Sequence, residues 1–305
     1  MHQCSKILHT TFLLLLILYR LGEAEEVFVL KTSDIIPYNT CIEGLRESLS
    51  TYSLQVFNME GDLDKGREII AAIQEKRPRM LIAVGPQASF LLSEITYPFP
   101  KFFCMVLNPQ KLIGQQKLYS GVSLNMPLSF QLRQIKKSFP ERKRVGLFFS
   151  KSLDRTIIES FLREASSLGL VLVPFPITSA SDILPAIDSK AFSIDTLLLM
   201  PDEQINSQKI VEYIIKESLR RKIPVVGYNR WFASNGAILS FIIEYRDLGL
   251  QAGDMALRMV KQGLAAPLTI EPPARIKISI NLKTAQKLGI QISPEIIQQA
   301  DEVIR

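Results

Sequence analysis

The 305 residues are 47% hydrophobic with a mean hydropathy of +0.15, which excludes a disordered chain and supplies apolar surface for two lobes rather than one. The formal charge of +6 is spread thinly, in clusters no longer than Lys136-Lys137 and Arg142-Lys143-Arg144, so no nucleic-acid partner is expected. Both histidines, His2 and His9, lie in the first 24 residues; beyond them, Ser-His-Asp and Cys-His catalysis and histidine-ligated zinc are excluded.

The N-terminus, MHQCSKILHTTFLLLLILYRLGEA, reads as a cleavable signal peptide over residues 1–24. Lys6 and the amino group form its positive region, Phe12 to Tyr19 its apolar core and Gly22-Glu23-Ala24 a small-x-small cleavage site. That core, broken by Arg20, falls short of the ~20 residues needed to cross hydrocarbon. Cys4 precedes the core, where a lipid-attachment cysteine would follow it. Cleavage removes two cations and one anion and predicts a soluble periplasmic or extracytoplasmic protein of charge +5. Cys41 and Cys104 then remain, too few for a disulfide scaffold. Cys104, inside the apolar run Phe102 to Leu107, reads as a small buried hydrophobe; the sequence leaves open whether the two bridge, and a free pair is the expectation.

Along the rest of the chain, short apolar runs bounded by Gly, Pro, Asn or Asp alternate with amphipathic stretches, the pattern of parallel sheets covered by helices. The predicted strands are Val27 to Leu30, Leu54 to Phe57, Met80 to Val84, Phe102 to Leu107, Arg144 to Phe149, Val171 to Phe175, Thr196 to Met200, Val225 to Gly227, Ala237 to Ile242 and Arg275 to Ile280. Helices are predicted over Asp62 to Lys76, where Ile69, Ile70 and Ile73 share a face, and over Ile157 to Leu168 and Ile210 to Leu219. Some ten strands suit two five- or six-stranded α/β lobes better than one open sheet.

In such sheets ligands bind at the carboxyl ends of strands, so the loops there are the candidate site. The first strand leads into KTSDIIPYNT, with Ser33, Asp34, Tyr38 and Asn39 ahead of a helix whose first turn Pro37 would pre-set. The third leads into Gly85, Pro86, Gln87 and Ala88, where the Gln87 and Ala88 amides would open an anion-friendly helix. That stretch lacks the lysine and second glycine of a phosphate loop. The fourth ends at Asn108-Pro109, and later strands end at Phe149-Ser150, at Pro201-Asp202 and at Gly227 to Trp231. The last segment puts Tyr228, Asn229, Arg230 and the single tryptophan, Trp231, together; aromatic faces bury ligand area and amides orient it. Arg230 is a candidate partner for a ligand carboxylate, its alternative being a solvent-facing cation. No pair of acids is placed for hydrolysis, no acid or cysteine cluster has metal spacing, and neither catalysis nor a cofactor is expected.

The stretches KRVGLFFS (143–150), GAILSFIIEYRDLGLQAGDMALRMVKQG (236–263) and INLKTAQKLGIQISPEIIQQADEVI (280–304) resemble the substrate-binding proteins of ABC transporters. The likeness is to the periplasmic-binding-protein type I fold, in the branch whose members include binders of aromatic amino acids. It implies two Rossmann-like lobes hinged around a ligand cleft, residues 25–123 with 243–273 and residues 124–242 with 274–305. It further implies a monomer that holds a small solute and offers it to an ABC permease. The implied cleft residues are the loop from Ser33 through Asp34 to Tyr38, then Gly85, Pro86, Gln87, Ala88, Asn108, Asp202, Tyr228, Asn229, Arg230, Trp231 and Tyr245. Where the family usually has Asp-Pro after the fourth strand, this chain has Asn108-Pro109, and its loop 227–233 lacks the acid of the amino-acid binders, which removes a partner for a ligand ammonium. The alternatives are a ligand-sensing module of the same fold and an exported carboxylate hydrolase.

Overall fold

The computed structural model describes residues 25–96, 100–114, 119–151, 153, 155–190, 193–205, 207–262 and 267–305. The expected signal peptide lies outside the described residues. In chain order the elements are β1 (Glu26–Lys31), α1 (Ile36–Ser48), β2 (Ser53–Asn58), α2 (Leu63–Lys76), β3 (Met80–Val84), α3 (Pro86–Glu94), β4 (Lys101–Val106), α4 (Pro109–Ile113) and β5 (Ser120–Ser123). There follow α5 (Leu128–Ser138), β6 (Arg144–Ser150), α6 (Arg155–Ser167), β7 (Val171–Ile177), α7 (Ile183–Lys190), β8 (Thr196–Leu198), α8 (Gln208–Arg220), β9 (Val225–Gly227), α9 (Arg230–Ser234) and β10 (Leu239–Ile242). The chain closes with α10 (Tyr245–Gln262), β11 (Ile270–Glu271), β12 (Lys277–Asn281), α11 (Leu282–Leu288), α12 (Pro294–Gln299) and β13 (Glu302–Ile304).

Two compact units result. The first holds the chain up to Asn125 together with Tyr245–Ala274, and the second holds Met126–Glu244 with Arg275–Arg305. The class is α/β, each unit a sheet flanked by helices.

In the first unit the sheet order is β11-β5-β4-β3-β1-β2, with every pairing parallel. The strands read as continuous apolar runs because both faces are covered; Met80–Val84 is buried throughout. Helices α2, α3 and α4 cover one face through Ile70, Ile73, Leu91, Leu92 and Ile113, packed on Phe28, Leu30 and Phe103. Asp62 is the cap of α2 rather than its first residue, its carboxylate accepting the Asp64 and Lys65 N–H groups. On the other face α1 and α10 approach closely. A Cβ on Gly249 would stand 1.9 Å from the Cys41 carbonyl oxygen, and one on Gly44 would stand 2.0 Å from that of Arg246. Only hydrogen-bearing positions admit that contact.

The second unit has the order β13-β12-β10-β9-β8-β6-β7, parallel except where β10 meets β12. Leu132, Ile135 and Ala165 pack with Leu147, Phe241 and Ile280 on one side, and Ile187, Ile214 and Phe232 pack with Phe148 and Phe175 on the other. The edge strand β7 carries Pro174 and Pro176, which withhold donors from any further strand.

Several boundaries differ from expectation. β8 stops at Leu198 rather than Met200, β10 starts at Leu239 rather than Ala237, and β12 runs Lys277–Asn281 rather than Arg275 to Ile280. Three strands, β5, β11 and β13, were not expected. Ser120–Ser123 is small and polar in sequence yet buried along its length between β4 and β11, and β11 and β13 are only two and three residues long. No apolar run announces any of them.

Candidate functional site

Within the first unit, the order β2-β1-β3-β4-β5 places the topological switch between β1 and β3; within the second, β7-β6-β8-β9-β10 places it between β6 and β8. Chains leaving the two strands at a switch diverge, and it is at such points that open α/β sheets bind their ligands.

At the first switch the loops after β1 and β3 are tied by Thr32. Its hydroxyl accepts the Ala88 N–H at 3.1 Å, its own N–H reaches the Val84 carbonyl at 3.0 Å, and its carbonyl accepts the Gly61 N–H at 2.6 Å. Sequence reasoning passed over Thr32; its position as the first residue beyond β1 was the available signal. Gly85, at φ +95°, lies against the ring of Tyr38, and a Cβ there would stand 2.7 Å from Tyr38 Cζ and 2.8 Å from Thr32 Oγ1. Tyr38, Gly85, Pro86, Gln87 and Ala88 are thereby brought together. Burial of the Tyr38 hydroxyl raises its pKa above the ordinary phenol value.

The anion-friendly helix start needs correction. Pro86 has no N–H, Ala88 donates to Thr32 and Ser89 donates to the Gly85 carbonyl, which leaves Gln87 to offer its amide among the described residues. The Gln87 side chain itself reaches back to the Gly61 carbonyl at 3.2 Å. Ser33 is half-buried beside this turn. Asp34 is already matched: Lys31 Nζ stands 2.7 Å from its carboxylate and Asn39 Nδ2 donates to it at 2.8 Å, and these contacts, the lysine first, lower its pKa.

At the end of β4 the register with β5 shifts between Cys104 and Val106, and Met105 takes φ +62°. This bulge turns the strand end outward, leaving Leu107 and Asn108 exposed. Asn108, also left-handed at φ +48°, exchanges hydrogen bonds with Asn125: its N–H donates to Asn125 Oδ1 at 2.9 Å, and Asn125 Nδ2 donates to its Oδ1 at 3.1 Å. Ile35 and Ile36, at 43% and 81% exposure, add apolar surface at the end of β1. Tyr245 is the first residue of α10 and is half-buried.

The second switch repeats the first device with a different side chain. Asp202, after β8, accepts the Ser150 N–H at the end of β6 at 2.8 Å through Oδ2, and the Gln204 N–H at 2.8 Å through Oδ1. Its carboxylate holds backbone.

The segment after β9 is not a loop throughout, since Arg230–Ser234 forms the one-turn helix α9. Asn229 caps it by accepting the Phe232 N–H at 3.2 Å. Phe232 is buried, with Tyr228 at 4.4 Å and Trp231 at 5.4 Å between ring centroids, so both partly buried aromatics stand on the core through it. Arg230 is half exposed to solvent, as the second reading has it, but it is not an open partner for a ligand carboxylate: it pairs with Glu244 and, at 2.7 Å, with Glu302. Lys277 reaches Glu244 from the other side at 2.8 Å. Arg230 foremost, and Lys277 after it, hold the Glu244 carboxyl down at about 2, while Glu244 and then Glu302 raise the arginine. Glu244 lies 14 positions along the chain, beyond β10, and Glu302 lies 72 positions away, so the residues flanking Arg230 announced neither.

The strand ends therefore present tyrosine, tryptophan, isoleucine and amide groups, while Asp34, Asp202 and Arg230 are occupied within the protein. Such surfaces suit the burial of a small solute by ring faces and hydrogen bonds. A model of the ABC transporter substrate binding protein family matches residues 37–304. The chain belongs to that family.

A tyrosine-binding protein of Clostridioides difficile is 22% identical over 243 residues, covering 77% of this chain and 70% of that protein. Among solved structures, an ABC domain from Streptococcus pneumonia in complex with L-Trp is similar at 22% identity and a TM-score of 0.64, over 92% of this chain and 100% of the other. The ligand-free, open structure of a substrate binding protein with adhesive properties from Clostridium difficile has 17% identity and a TM-score of 0.74, over 92% and 99%. Members of the family and these neighbours share the periplasmic-binding-protein type I fold and bind solutes. No described helix is long and apolar enough to cross a membrane.

Proposed function

We propose that this family member is an exported solute-binding protein of an ABC importer, which takes a small molecule carrying a ring or apolar portion between its two lobes and delivers it, on closure, to the permease. The observation that supports this most is the pairing of two backbone-braced switch points with aromatic and amide groups beside them, Tyr38 with Gly85 in one unit and Tyr228 with Trp231 in the other. Trapping requires higher affinity for the closed state, and contacts from both strand-end clusters to one solute would supply it. With Asp34 and Arg230 already paired, orientation falls to backbone amides, the side-chain N–H groups of Asn108 and the hydroxyl of Tyr38. The relatives make aromatic amino acids the first solutes to try.

A thermal-shift screen of the purified protein against amino acids, peptides, sugars, nucleosides and purines tests this. A ligand that binds the folded state alone raises the midpoint, by about 2.7 kcal/mol of stabilisation at 100 times Kd. The expected hit also lowers the radius of gyration in solution scattering. No shift across all those classes, or binding without compaction, overturns the respective parts of the proposal.

A further inference from the structure

Cys41 on α1 and Cys104 on β4 are 63 positions apart in the chain, yet their sulfurs lie 3.5 Å from each other, both side chains fully buried. The remaining polar contact of Cys104 is with the Ala83 carbonyl, at 3.8 Å. A thiol is a weak donor and a weak acceptor, so this contact alone contributes little to a core. A bond between the same atoms is about 2.05 Å long, so the sulfurs need to approach by about 1.5 Å to form it. Beyond residue 24 the chain contains no other cysteine with which either could pair.

We propose that Cys41 and Cys104 form a disulfide when the chain folds in an oxidising compartment, a cross-link that ties α1 to β4 inside the first unit. The proposal rests on the export reading for its oxidant, a disulfide of the thiol-exchange class. One cysteine thiolate attacks a sulfur of that oxidant, forms a mixed disulfide and expels one thiolate. The second cysteine thiolate then attacks the protein sulfur and expels the other. Two protons and two electrons leave the cysteine pair, and the oxidant ends as two thiols. Exchange takes place before α1 docks, because the folded core admits no oxidant and the hydrogen-bonding contact with Cys41, followed by burial, raises the Cys104 thiol pKa well above its ordinary value. Once formed, the bond is shielded from reductant in the same way.

The cross-link bears on the strand ends. Cys41 follows Tyr38 by one helical turn and Cys104 precedes Asn108 in the same chain segment, so the bond fixes two of the candidate ligand-contacting segments to one another.

The full chain, expressed with its own N-terminus in an exporting host, is purified and equilibrated with a glutathione redox buffer in enough urea to open the first unit. It is then refolded, denatured and alkylated without reductant, and mapped by mass spectrometry. The expected result is a linked peptide pair containing Cys41 and Cys104, with alkylation of both only after reduction. The oxidised protein should melt on the order of 10 °C above the same protein reduced and refolded. The double variant Cys41→Ala, Cys104→Ala should show no redox-dependent midpoint. Full alkylation of both cysteines without reductant overturns the proposal, as does a link that leaves the midpoint unmoved. The N-terminal mass reports export separately: a retained Cys4 peptide would refute the export reading while the linkage of Cys41 to Cys104 is scored on its own peptides.

Discussion

Replacing Thr32 by valine removes one oxygen and keeps the side-chain shape. Thr32 is 6% exposed, and its hydroxyl is the acceptor for the N–H of Ala88, itself fully buried. The substitution orphans that amide at a cost of about 1–3 kcal/mol. The added methyl group in a buried position offsets up to about 0.8 kcal/mol of this, so the expected net loss lies between about 0.2 and 3 kcal/mol, centred near 1.5 kcal/mol. The backbone bonds of Thr32 to Val84 and Gly61 do not depend on the side chain, so the effect isolates the hydroxyl. Thr32→Ser keeps the acceptor and should recover most of the loss, leaving a deficit of about 1 kcal/mol for the missing methyl group. Urea unfolding gives the stability change, and amide hydrogen exchange of the segment containing Ala88 reads the orphaned donor directly. If Thr32→Val lies within about 0.5 kcal/mol of the parent chain and exchange at Ala88 is unchanged, the hydroxyl does not brace the switch point.

Glu244 titrates at about 2 in the folded protein against 4.5 unfolded, so its contribution is fully present above pH 4.5 and is lost as pH falls toward 2. Because Arg230 is half exposed, about 1–2 kcal/mol is expected after solvent screening, and Glu244→Gln should flatten that limb of an acid-unfolding curve; an unchanged limb would show the pairing contributes nothing. Gly249→Ala drives a methyl group into the Cys41 carbonyl and should cost about 3 kcal/mol in urea unfolding, whereas Gly114→Ala, at φ +80° with open space around it, should cost only about 1–2 kcal/mol. Equal losses at the two glycines would mean that the α1–α10 contact relaxes freely. A confirmed ligand should change the emission of Trp231, the single tryptophan; Trp231→Phe should abolish that change and weaken binding about tenfold, and an indifferent spectrum would take Trp231 out of the proposed site.

The alternation of apolar runs with amphipathic stretches was enough, in the sequence, to read a parallel α/β architecture. Strands such as Met80–Val84 must be apolar on both faces when helices cover both, and that requirement is written locally. The family likeness in residues 143–150, 236–263 and 280–304 was equally legible, because it resides in ordered residues along the chain. The candidate segments could be placed at strand ends for the same reason, though their chemistry could not. Which amides of the turn at Gly85 stay available depends on Thr32, some fifty residues earlier; whether Arg230 is open depends on Glu302, seventy residues later. Ser120–Ser123 became a strand only because β4 and β11 flank it, and Cys41 met Cys104 only when α1 docked on the sheet. Propensity and periodicity are properties of neighbours in sequence. Hydrogen-bond partners, ion pairs and sulfur contacts are properties of neighbours in space, and folding alone chooses those.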